Sequence, residues 1–131
     1  MSTTYAIVGA GLAGCEAAWQ LAQAGQNVVL YEMKPKRFSP AHQSEDLAEL
    51  VCSNSFRSAE LETGIGLLKL EIAELGSLVM EVAKTVEVPA GKALAVDREL
   101  FSREMTRRIL GHPRITLARS EVTSLAELND K

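Results

Sequence analysis

Positive charge is not in excess. Seventeen Asp and Glu oppose fourteen Lys and Arg, for a net charge of −3 over 131 residues. A compact nucleic-acid binder is usually basic overall, so any contact with RNA must rest on a local patch or on other parts of the protein. An export signal is lacking too: residues 1–5 carry no Lys or Arg, and the apolar run after them is broken by Gly9, Gly11 and Gly14. No stretch approaches the roughly 20 continuous apolar residues of a membrane span, so no membrane partner is expected. Aromatic residues are few, with one Trp, two Tyr and three Phe. The two cysteines, Cys15 and Cys52, lie far apart and form neither CxxC nor a zinc spacing, so no metal site is expected. Reduced thiols in a cytoplasmic protein are the simplest expectation. There is no internal repeat and no low-complexity stretch.

What is present reads as one domain, or part of one, with a real core: a chain of this size buries roughly two thirds of the surface it exposes unfolded. Tyr5-Ala6-Ile7-Val8 is a short apolar run stopping at glycine, as a buried parallel strand does. Residues Leu12 to Ala24 are helix-forming, with Ala17, Ala18, Leu21 and Ala22 as an apolar face and Gly25 as the residue that ends the helix. Val28 to Tyr31 is a second strand closing at Glu32, which completes a βαβ unit in about 30 residues. Met33 to Gly66 is a long connection holding Pro35, Pro40, the basic Lys34, Lys36 and Arg37, and a polar string from Cys52 to Ser58. A connection of that length is more often functional than idle. Asp46–Val51 suits one helical turn or a short strand.

Leu67 to Lys84 has the spacing of one amphipathic helix, with Leu68, Ile72, Leu75, Val79 and Val82 on one face and Gly76 inside it. Val86–Val88 and Ala93–Val96 read as short strands around a turn at Gly91. Asp97 is a helix cap for a segment running to Leu110, with Leu100, Phe101, Met105 and Ile109 facing in. Ile115–Ala118 is a further strand, and Glu121–Leu128 a strand or a loop.

Gly9-Ala10-Gly11-Leu12-Ala13-Gly14 is GxGxxG between a predicted strand and a predicted helix. Gly9 permits the tight turn, Gly11 has no side chain to block a pyrophosphate, and Gly14 allows close packing of the helix. Phosphates gain from free backbone N–H groups at the positive end of a helix. Glu32 closes the second strand at the spacing of the acid that hydrogen-bonds a ribose hydroxyl, and it opposes the 2′-phosphate of NADP. On these residues alone FAD and NAD both remain open.

The string Ala48-Glu49-Leu50-Val51-Cys52-Ser53-Asn54-Ser55-Phe56-Arg57-Ser58 narrows the choice. Together with Gly9 to Gln20, Tyr31-Glu32-Met33-Lys34-Pro35 and Val88 to Arg98, it closely resembles the bacterial folate- and FAD-dependent tRNA (uracil-5-)-methyltransferases over essentially the whole chain. The resemblance implies an α/β, Rossmann-like FAD-binding domain with a parallel sheet and a βαβ start. It implies that residues 1–131 are the N-terminal part of that domain, an incomplete fragment of an enzyme several times longer. The implied reaction moves the one-carbon unit of 5,10-methylenetetrahydrofolate to C5 of a T-loop uridine in tRNA, with FAD reduced by NAD(P)H. Gly9, Ala10, Gly11, Leu12, Ala13 and Gly14 would then be the FAD phosphate loop, Glu32 the ribose acid, and Cys52 a catalytic residue. The sequence departs from the family at His42-Gln43, where a His-His pair is common, and at Phe56, usually Leu. A related FAD-dependent modifier of wobble uridines and an ordinary NAD-dependent oxidoreductase are the alternatives, with a non-catalytic nucleotide-binding module as a third class.

Cys52 has a plausible task. Uracil C5 is a poor nucleophile until a thiolate adds at C6, so such an enzyme needs an activated cysteine. Arg57 and nearby turn N–H groups are candidates to activate it. The family also carries another cysteine beyond this region, which leaves Cys52 as nucleophile or as auxiliary group. Cys15, on the packed face of the first helix, reads as core. Gly64-Ile65-Gly66 is a candidate for close approach to a flavin ring, or simply a loop. Arg103, Arg107, Arg108 and Arg114 with His112 form a basic patch for tRNA phosphates, although solvated helix-face charges are the commoner reason for such a pattern. His42 is a loop histidine that suits substrate contact, and Trp19 a core or interface residue.

Overall fold

The computed structural model describes residues 3–128, so residues 1, 2 and 129–131 of the expected domain lie outside the described residues. Strand β1 (Thr4–Val8), helix α1 (Leu12–Gln23) and strand β2 (Asn27–Glu32) form the βαβ start. After the long connection come β3 (Ser55–Ser58), α2 (Gly64–Glu74), α3 (Leu78–Thr85), β4 (Glu87–Val88), β5 (Ala93–Val96), α4 (Arg98–Gly111) and β6 (Ile115–Arg119), then a 3₁₀ turn over Leu125–Leu128. The architecture is α/β. A parallel sheet has the order β1-β2-β6, with Ile7 beside Leu30 and Leu30 beside Leu117. The predicted strands around Gly91 form a hairpin, but it belongs to a second, antiparallel sheet of order β3-β5-β4.

Helix α1 ends as expected at Gly25, whose φ of +85° suits a residue without Cβ. The Gly25 N–H donates to the Ala22 carbonyl and Gln26 N–H to the Leu21 carbonyl, which satisfies two terminal acceptors. The same pair of bonds corrects the expectation of one helix over Leu67–Lys84. Gly76 N–H donates to Ala73 and Ser77 N–H to Ile72, with Gly76 at φ +84°, so α2 stops there. Ser77 then caps α3 by accepting from Met80 N–H at 3.2 Å. Glu16 of α1 fixes this corner: its carboxylate accepts from Ser77 Oγ at 2.7 Å and from the Leu78 and Val79 amides, each at 2.9 Å. Burial opposes ionisation of Glu16, but these bonds and the one from Gln20 outweigh it and hold its carboxyl below the usual range. Gly76→Ala is expected to cost about 1 kcal/mol, because an L side chain is strained at that φ. A denaturant midpoint measures it, and an unchanged midpoint would show that the corner tolerates a straight helix.

The core lies where α1, packed on β2, meets α3 and α4. Leu30, Leu78, Val82, Val96, Phe101, Met105 and Ile109 are fully buried, and burying each is worth roughly 1.5–3 kcal/mol. Of the residues expected to face in, Leu68, Leu75 and Leu100 are exposed, Leu75 at 80%. The split at Gly76 rotates α2 relative to α3, so one stripe cannot serve both. Strand β1 is not the buried strand its composition suggests. It pairs only with β2 among the described residues, and Val8 is 51% exposed. Asp46–Val51 is neither helix nor strand, Ser55–Ser58 is an unforeseen strand, and the end of Glu121–Leu128 is a 3₁₀ turn. No helix among the described residues is long and apolar enough to cross a membrane.

Candidate functional site

The glycine loop joins the C-terminal end of β1 to α1, which is where open α/β sheets place their ligands. Gly9 takes φ +96° and donates its N–H to Tyr31 at 2.8 Å, binding the turn to β2. Ala10 is held from both sides. Its N–H donates to Glu32 Oε2 at 3.1 Å, and its carbonyl accepts from Ala48 N–H at 2.9 Å and from the Cys15 thiol at 3.4 Å. Gly11 caps α1 in extended backbone and brings no side-chain acceptor to the first-turn N–H groups. A Cβ on Gly11 would meet nothing within 4 Å, so the space in front of the helix is open. A Cβ on Gly14 would lie 1.8 Å from the Gly9 carbonyl oxygen, so helix and loop are in direct contact there.

A cavity of about 290 Å³ opens on this loop, lined by Gly9, Gly11, Glu32, Lys34, His42 and Glu49 among others. Glu32 is 7% exposed and divides its carboxylate between Ala10 N–H and Lys34 N–H, the latter at 3.0 Å to Oε1. Two lone pairs per oxygen leave acceptor capacity toward the cavity. Ser120, Glu121 and Val122 close another side, because β6 runs parallel to β2 and ends beside it. Leu12 and Ala13 instead line a separate apolar groove with Ile72, Leu75 and Val79.

Lys34, Glu49 and residues 120–122 were not legible as site residues. Lys34 reads as one of a basic cluster, and Glu49 as one acid in a long connection. His42 does reach the cavity, with Nδ1 2.5 Å from Ser39 Oγ. Cys52 is exposed and does not line the cavity, and among the described residues neither hydrogen bond nor ion pair joins it to Arg57. Cys15 is fully buried. Desolvation, with Glu32 adding to it, pushes its thiol up to about 12, so it is inert core as expected.

The basic patch is paired in part. Arg107 and Arg108 both pair with Glu104, Arg108 also reaches Glu81, and Arg114 bonds Asn27. The bond from Arg107, against a small burial penalty and with help from Arg108, holds Glu104 at about 2. His112 bonds Gln23 and meets the Trp19 ring edge-on at 5.2 Å. Gly64 and Gly66 belong to the first turn of α2, and Gly66 is a packing glycine, since a Cβ there would lie 1.9 Å from the Glu60 carbonyl oxygen. No cluster of His, Cys, Asp and Glu among the described residues is arranged to hold a metal.

Known proteins match nearly the whole chain. The chain is 63% identical over 123 residues to a methylenetetrahydrofolate–tRNA-(uracil-5-)-methyltransferase TrmFO of Nitratidesulfovibrio vulgaris, covering 94% of this chain and 26% of that protein. The protein of the same name from Geobacter sulfurreducens is 61% identical over 95% of this chain and 29% of its own length. That from Aquifex aeolicus is 55% identical over 97% of this chain and 28% of its own. The chain thus spans little more than a quarter of the relatives' length. The model of the family described as Glucose inhibited division protein A matches residues 4–131, and the chain belongs to that family.

Proposed function

We propose that residues 1–131 form the N-terminal part of an FAD-binding domain in a folate-dependent tRNA (uracil-5-)-methyltransferase. The observation that carries this reading is the open glycine-loop cavity with Glu32 at its wall, in a chain 55–63% identical to proteins bearing that name. The donor set fits the group. First-turn amides of α1 face a pyrophosphate without a competing cap, the missing Cβ of Gly11 leaves it room, and Glu32 accepts a ribose hydroxyl. Leu12, Ala13 and Gly14 contribute as backbone, Gly9 and Ala10 as the turn. The exposed β1, paired on one edge, supports the reading of an incomplete domain.

Bound here, FAD would supply reducing electrons drawn from NAD(P)H, while 5,10-methylenetetrahydrofolate supplies the carbon for C5 of the T-loop uridine. Cys52, exposed in the connection just before β3, is assigned a catalytic thiol role in that transfer. The location of such an enzyme is cytoplasmic, with its tRNA.

A chimaera tests the whole reading: this chain replaces the matching segment of the Geobacter sulfurreducens relative. The chimaera is expected to copurify with flavin and to form 5-methyluridine in a tRNA transcript when given the folate and NAD(P)H. Residues 1–131 alone are expected to show no methyl transfer and to bind FAD far more weakly. Nicotinamide-dependent redox activity without flavin would replace the reading by an ordinary NAD-dependent oxidoreductase.

A further inference from the structure

We propose that Lys34 and Glu49 act as a positioning pair, holding the segment from Gln43 to Ala48 against the glycine loop and so fixing the second wall of the cavity. The inference rests on the dinucleotide reading of that cavity.

Lys34 is 3% exposed, unusual for a lysine, and its ammonium needs partners. It donates to the Asp46 carbonyl at 2.7 Å and lies 3.4 Å from Glu49 Oε2. Both partners belong to the loop, so burying Lys34 and seating the loop are one event. Glu49 gathers the loop from within: Oε1 accepts from the Gln43 and Ser44 amides, each at 3.0 Å. Burial works against its charge, but these amides and Lys34 outweigh that and hold its carboxyl below the usual range.

Ala48, next in line, sits at φ +52°, a conformation that a residue with a Cβ keeps only when its surroundings impose it. Here its N–H meets the Ala10 carbonyl, while Thr106 Oγ1 takes Leu47 N–H at 2.8 Å and Ser102 Oγ donates to the Ala48 carbonyl at 3.3 Å. Lys34 also touches a second cavity acid, since its backbone N–H donates to Glu32. One residue thereby ties together Glu32 and Glu49, two of the three carboxylates that line the cavity among the described residues. It is also the only Lys or Arg lining the cavity among the described residues, and it offsets charge that would repel a pyrophosphate.

ADP is the probe, because it carries the pyrophosphate and ribose without the flavin ring. Calorimetric titration of the flavin-stripped chimaera is expected to show ADP binding weakened about tenfold by Lys34→Met and by Glu49→Gln. The double variant Lys34→Met/Glu49→Leu separates positioning from stability. Its unfolding midpoint should return toward that of the unaltered chimaera, since an apolar pair can replace a buried ion pair at little cost. Its ADP affinity should stay about tenfold low, because the Gln43 and Ser44 amides have lost their acceptor. Amide signals of Ala10 and Ala48 should move in each variant, and those of Val82 and Val96 should not. ADP affinity within about twofold of the unaltered chimaera in the double variant overturns the inference and leaves the dinucleotide reading standing. If the double variant does not fold, Glu49→Gln carries the test by the same criterion. Absence of ADP binding by the unaltered chimaera after removal of its flavin removes both.

Discussion

Gly14→Ala is expected to destabilise the chain by on the order of 3 kcal/mol, whereas Gly11→Val leaves its stability within about 0.5 kcal/mol and abolishes dinucleotide binding. The two glycines stand three residues apart in one motif, yet they fail for opposite reasons. A Cβ on Gly14 would sit 1.8 Å from the Gly9 carbonyl oxygen and 2.9 Å from its carbon. Both are backbone atoms, so no rotamer relieves the clash and either α1 or the turn must move. Gly11 has an ordinary φ of −79°, and a Cβ there meets nothing in the protein. Its side chain would enter the open space at the start of α1, where the proposed reading puts the phosphates. Urea unfolding and ADP titration read the two effects separately. ADP bound equally well by Gly11→Val would mean that the phosphates are not held at this helix end, whatever the motif suggests.

That contrast also marks how far the sequence could be read. Strand, turn, helix and acid in register identify the βαβ start, because each is a local signal with its own period or glycine requirement. The motif already assigns Gly14 to close packing of the helix, and the structure adds how close that packing is, with a Cβ on Gly14 falling 1.8 Å from the Gly9 carbonyl oxygen. The break at Gly76 was hidden. Leu68, Ile72, Leu75, Val79 and Val82 keep helical spacing straight through it, and only the bonds from Gly76 and Ser77 back to Ala73 and Ile72 show that the helix ends. Strand β1 reads as buried from its residues alone, because composition cannot register that only one of its edges is paired among the described residues.

Least legible was the connection after β2. Its order comes from side chains reaching across it, with Glu49 gathering the Gln43 and Ser44 amides and Arg119 donating to the Lys34 and Glu45 carbonyls. Bonds of this kind have no period, so Asp46–Val51 offered equal grounds for helix and strand and is neither. The buried Lys34 is the extreme case. In the sequence it stands with Lys36 and Arg37 as surface charge, and only the fold turns it inward.

Cys52→Ala in the chimaera is expected to leave flavin binding nearly intact while methylation falls by about 10²–10⁴-fold. Flavin should survive because Cys52 lies outside the glycine-loop cavity and is exposed, so its loss leaves no hole in the core. Methylation should fall because uracil C5 becomes a nucleophile only after a thiolate adds at C6, and proton transfers around that adduct need a placed group. Cys15 cannot take over: it is fully buried, bonded to the Ala10 carbonyl, and its thiol is pushed up to about 12. A tRNA carrying 5-fluorouridine at the target separates the two roles. If Cys52 is the nucleophile, the alanine variant forms no covalent adduct with it. If Cys52 relays protons or protects an intermediate, the adduct forms and turnover still stops. Methylation at the rate of the unaltered chimaera would remove Cys52 from the chemistry and leave the segment from Cys52 to Ser58 with a structural task, the pairing of β3 with β5.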